Sequence, residues 1–179
     1  MSINNCADDL PAYDTNNCDV DLLPGASKFV FIDQDNTFTN LSSAAQWVAE
    51  QAANNAFISG KGKGSYPTPT PDEKTNPRAD GPDNKIMKMN HVFTFEDPNV
   101  NNTNDDYYAA LNGRIGYLAW YNFEQDEVRA NLSDLCVFKA MPANDDLSAD
   151  FQKYMITVEW KSSPNGTPVR RPAPVGVFS

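Results

Sequence analysis

The chain reads as mainly β (α+β): one domain with an antiparallel β-sandwich or barrel-like core, one flanking amphipathic helix, a long extended loop, and extended N- and C-terminal arms. Three observations predict this. Strand-length apolar runs recur through the second half of the 179 residues without helices of crossover length between them, so neighbouring strands must run antiparallel. Ile86 to Phe95 alternates, with Ile86, Lys88, Asn90, Val92 and Thr94 against Met87, Met89, His91, Phe93 and Phe95, the period of a strand with one buried face. Only Ser43 to Asn54 sustains apolar residues at helical intervals.

Residues 1–26 form the N-terminal arm, rich in aspartate and asparagine, with Leu10-Pro11 and Leu22-Leu23 as isolated anchors. Residues 27–59 hold a strand and the flanking helix. The strand, Ser27 to Asp33, is β-branched and aromatic without a break. The helix starts at Ser43, which has capping-box spacing to Gln46, and its apolar positions are Ala44, Ala45, Trp47, Val48, Ala52 and Ala53. Residues 60–85 begin Gly60-Lys61-Gly62-Lys63-Gly64 and continue through Pro67, Pro69, Pro71, Pro77 and Pro82. Glycine and proline with so few apolar side chains predict a loop with no structure of its own, anchored at both ends and projecting as a hairpin-like excursion. Residues 86–161 are the β core: the Ile86 strand, a short helix capped by Asn104 or Asp105 and ending at Leu111, then strands Arg114–Phe123, Glu127–Leu132, Leu135–Met141 and Phe151–Lys161. Residues 162–179 return to proline and arginine as a C-terminal arm, with Val175 to Phe178 the one stretch suited to a strand.

The formal net charge is −10 and the mean hydropathy −0.56. No apolar run reaches the length of a membrane span, and Met1 to Asn5 has neither a basic start nor an apolar signal core, so a soluble protein made in a cytoplasm is expected. The charge is uneven. Asp8, Asp9, Asp14, Asp19 and Asp21 precede the first base, and residues 124–150 are also acidic, whereas Lys61, Lys63, Lys74, Arg78, Lys85 and Lys88 concentrate in residues 60–90. Such a division suits contact between unlike patches of neighbouring copies. It lacks the basic stripe with interleaved aromatics of a nucleic-acid binder.

Candidate chemistry is sparse. Three cysteines, Cys6, Cys18 and Cys136, cannot form a disulfide framework, and with the single histidine, His91, they match no familiar zinc spacing, so no metal or other cofactor is expected. His91 with Cys136 can be drawn as a base and nucleophile, but one histidine in an alternating strand reads first as a packed side chain. Phe29 to Phe38, with Asp33-Gln34-Asp35-Asn36-Thr37 after an apolar strand, resembles the first motif of the haloacid dehalogenase phosphatases. That resemblance implies Asp33 as nucleophile and Asp35 as general acid and base beside magnesium, with Thr94, Lys139, Asp145 and Asp146 as the remaining equipment. The competing reading makes Asp33 to Asn40 a strand-to-helix turn, where Asp, Asn and Thr bond local backbone. The missing crossover helices favour the turn, so no catalytic residue is assigned.

The layout as a whole (arm, β core, flanking helix, long loop and C-terminal extension) resembles the tail tube and related virion proteins of tailed bacteriophages. The resemblance implies a non-enzymatic virion subunit: six copies in a ring, and stacked rings forming a tube through which DNA passes without specific binding. It makes residues 60–85 the loop that reaches a neighbouring ring, and puts Lys61, Lys63, Tyr66, Lys74, Arg78, Lys85, Arg170 and Arg171 at subunit contacts. A capsid decoration or connector protein is a variant of the same reading. A carbohydrate-binding β-sandwich is an alternative from another class, but Tyr107, Tyr108, Trp120 and Tyr121 read as core or subunit-contact aromatics before they read as its sugar platform.

Overall fold

The computed structural model describes residues 26–78, 81–141 and 153–178. The N-terminal arm therefore lies outside the described residues, as do Cys6, Cys18, Asp145 and Asp146. The elements run β1 (Ala26–Ile32), α1 (Ala44–Ala52), β2 (Ala56–Ile58), β3 (Lys63–Ser65), β4 (Thr70–Arg78), β5 (Gly81–Asp97), α2 (Asn102–Leu111), β6 (Ile115–Asn122), β7 (Glu127–Met141), β8 (Tyr154–Ser162) and β9 (Val169–Pro172).

All pairings are antiparallel, and six strands close on themselves in the order β1-β3-β5-β8-β7-β6 and back to β1. The core is a closed barrel, one of the two forms the sequence predicts, and closure removes the open edges that a sandwich would keep. β2 adds outside β1, β4 extends along β5, and β9 pairs with the first part of β7.

Alternation sorts the side chains into two layers. Phe29, Phe31, Phe93, Phe95, Leu118, Trp120, Phe138, Ile156, Val158 and Trp160 fill the barrel, joined at one end by Tyr107, Tyr108 and Leu111 of α2. Val30, Ile32, Ala119, Tyr121, Val128 and Ala130 face outward and are covered by Leu41, Trp47 and Phe178. The unbroken apolar run of β1 follows from this, because both of its faces are buried.

Four details differ from the sequence reading. The inward positions of α1 are Trp47 and Glu50, and Val48 is 61% exposed. The reason is polar: Glu50 accepts hydrogen bonds from the Thr37 backbone at 2.8 Å, the Thr37 hydroxyl, and Asn55 at 2.9 Å, holding the β1–α1 turn. Asn101, not Asn104 or Asp105, caps α2, accepting from Asn104 N at 2.9 Å. Glu127 to Met141 is one strand with a register shift against β6, where Asn131 Oδ1 gathers the amides of Ser133 and Asp134. The residues after Ser162 are docked rather than free: β9 fills the open edge of β7, and Phe178 stacks on Tyr121 at 5.0 Å, although Val175 to Phe178 is a turn.

The segment 60–85 differs most. It contains β3, all of β4 and the start of β5, not an unstructured loop. Gly62 and Gly64 are there for closeness rather than turning. A Cβ on Gly62 would lie 2.3 Å from the Glu96 carbonyl oxygen, and one on Gly64 2.6 Å from the Ala26 Cβ. β3 is squeezed between β1 and β5, so its inward positions have no room for side chains while Lys61 and Lys63 point outward. The prolines Pro71 and Pro77 are tolerated because β4 has a partner on one side only.

Candidate interaction surface

β5 is the organising strand. Met89 to Asp97 pair with β8 inside the barrel, whereas Gly81 to Lys88 pair only with β4. The two strands thus continue as a two-stranded ribbon beyond the barrel, roughly 25 Å long at the usual strand rise. It leaves from the end opposite α2, which follows the other terminus of β5. At its base Lys161 of β8 reaches Asp72 at 3.1 Å. Between Asp72 and Glu73 the register shifts, leaving Met87 without an opposite residue, as a β-bulge does. Ile86 is 42% and Met87 45% exposed, with no core behind them.

The ribbon sets Lys74 directly across from Lys85. Like charges facing each other across an antiparallel pair destabilise it, and neither ammonium has an acid partner among the described residues. Arg78 ends β4 opposite Gly81, and its side chain lies outside the described set. Lys61 and Lys63 are exposed beside β3. Of the other residues expected at subunit contacts, Arg170 is engaged by Glu127 through Nε at 3.1 Å and Nη2 at 2.7 Å, and Arg171 Nη1 donates to the Arg170 carbonyl. The structure therefore gathers Lys74 and Lys85 on one ribbon, keeps Lys61 and Lys63 at the barrel, and places the arginine pair on β9.

Tyr66 turns inward. At the barrel mouth beneath the ribbon its hydroxyl lies 2.6 Å from His91 Nδ1, and His91 Nε2 lies 2.7 Å from Ser162 Oγ. Trp160 stacks on His91 at 4.8 Å, and Trp120 packs on Tyr66 at 5.1 Å. The row of tyrosine, histidine and serine has the connectivity of a nucleophile beside a base, and every polar group in it has a hydrogen-bond partner. With Ser162 Oγ donating to the Ser163 carbonyl at 2.8 Å or the Gly166 carbonyl at 3.3 Å, Nε2–H donates to Oγ and Nδ1 accepts from Tyr66. Each group is satisfied with His91 neutral. Burial lowers the His91 pKa, against a smaller opposing pull from Asp134, and burial pushes Tyr66 up to about 12. Ser162 was invisible to sequence reasoning because it lies 71 residues from His91.

Cys136 is not the partner of His91, since both ring nitrogens are taken. Its thiol is buried in the barrel, accepting from Asn131 Nδ2 at 3.4 Å, and burial raises its pKa to about 12, which disfavours the thiolate. Asp33 is buried at the end of β1, where Oδ1 accepts from Asp35 N at 2.9 Å and the backbone carbonyl accepts from Asn36. Asp35 is exposed. This is an Asx-type turn leaving a strand of an antiparallel barrel, without the parallel sheet that the phosphatase resemblance implies. Tyr107 and Tyr108 are buried under α2, and Trp120 and Tyr121 on the two faces of β6, so they form no exposed aromatic platform. Among the described residues no group of histidine, cysteine or acidic side chains could hold a metal ion, and no helix is long and apolar enough to cross a membrane. Comparison of the chain with protein-family models, with curated proteins and with solved structures finds no match.

Proposed function

We propose that this chain is a non-enzymatic structural subunit of a phage virion, a tail tube protein whose copies close hexameric rings that stack and conduct DNA. The observation that carries the reading is the β4–β5 ribbon. Two strands alone are marginally stable in water, and this pair also exposes Ile86 and Met87 and opposes Lys74 to Lys85. A ribbon built this way gains stability when a neighbouring copy covers its apolar residues and supplies acids to its lysines. A net charge of −10 supports the second half of the reading, because a wall that repels phosphate lets DNA move without sticking.

The test is the oligomeric mass of the purified protein together with electron micrographs. Rings or tubes are expected, with removal of residues 72–88 leaving a folded barrel that no longer stacks. A monodisperse species of 19.8 kDa at micromolar concentration would overturn the proposal. Discrete particles that attach to capsids but never elongate would assign the chain to decoration or connection instead.

A further inference from the structure

The outer apolar layer ends, at the start of β1, in a pocket of 270 Å³ between Ser27 and Lys28, the β6–β7 turn and the residues after β9. Its lining is of two kinds. Tyr121, Phe123, Val175 and Phe178 supply apolar surface, with the rings of Tyr121 and Phe178 stacked within 7° of parallel. Lys28 and Lys61 supply charge. Lys28 pairs with Tyr121 across β1 and β6, so its side chain leaves on the same face as that ring, half-buried. Neither ammonium has a carboxylate within ion-pair distance among the described residues. The one acid in the lining, Asp126, accepts a hydrogen bond from the Tyr121 hydroxyl at 3.1 Å. Burial and then the neighbouring Lys61 charge lower the Lys28 pKa, the response of a cation held without a counter-ion.

We propose that this pocket binds a small carboxylate with an apolar body, its carboxylate between Lys28 and Lys61 and its body against the stacked rings of Tyr121 and Phe178. Two lysines less one aspartate leave a single positive charge, which matches a monoanion; the second charge of a phosphate would be turned toward Asp126. The apolar lining sets the other half of the specificity, since a bare anion leaves Phe123 and Val175 uncovered. The pocket uses no residue of the ribbon and shares only Lys61 with the residues expected at subunit contacts, so binding by the isolated chain is read separately from assembly.

Equilibrium dialysis of the full chain against 3-phenylpropionate, its neutral amide and inorganic phosphate tests the proposal. Saturable binding of one carboxylate per chain is expected, at least tenfold tighter than the amide or phosphate. Lys28→Met should weaken it at least tenfold and the exposed Lys61→Gln about threefold, with circular dichroism unchanged. No saturable binding, equal binding of acid and amide, equal binding of phosphate, or full affinity in both folded variants would overturn it.

Discussion

Gly64 sits where the barrel closes, with Ala26 on one side and Phe93 on the other, and a side chain there has nowhere to go. Gly64→Val should lower stability by about 1–3 kcal/mol, the usual cost of overpacking, read as a lower urea midpoint with unchanged slope. The Tyr66–His91–Ser162 row makes a second prediction. Tyr66→Phe leaves Nδ1 without its donor and should cost about 1–3 kcal/mol, for a change that deletes one oxygen. His91 is harder to protonate folded than unfolded, where its pKa is about 6.5. Its contribution is therefore complete above that value and lost as pH falls toward the folded pKa, so His91→Phe should flatten the acid side of a stability profile between pH 7.5 and 5. None of these roles was legible in the sequence. Gly64 carried the composition of a turn, and only the approach of β1 and β5 shows that it lies in a strand; His91 was read as a packed side chain, but its partners are distant in sequence.

The ribbon behaves as an element distinct from the barrel, because among the described pairings its outer rungs pair only with each other. Reversing Lys74 and Lys85 to glutamate should leave the thermal midpoint of the monomer within a few degrees and weaken self-association at least tenfold, measured by sedimentation. Assembly unchanged in that variant would remove the ribbon from the contact. The sequence reading made residues 60–85 a projecting loop anchored on both sides and gave it no strands, since prolines and lysines argue against a strand that must be buried. They do not argue against one with a single partner. The flanking helix shows the converse: its existence and N-cap were legible, with Ser43 accepting from Gln46 N at 3.4 Å, while its buried face was not. Counting apolar residues favoured Val48, and a buried glutamate tying down the preceding turn overrode the count.

At the scale of the molecule, the antiparallel core and the helix against it were legible because alternation and the lack of crossover helices leave few topologies. Closure into a barrel was not, since it rests on the pairing of β1 with β6, far apart in the chain. If copies form rings, the sedimenting species should be six times 19.8 kDa or a multiple of that ring, with no smaller stable intermediate at micromolar concentration. Distance along the chain also orders events in time. The β4–β5 ribbon joins immediate neighbours, whereas the last seam must bring Ala26 to Asn122, and distant closures are slow. The ribbon can therefore form while its own barrel is still open, so under the proposed assembly a nascent chain carries its contact surface before its finished barrel. Slow expression at low temperature and low concentration is then the condition under which closure wins the race against premature association.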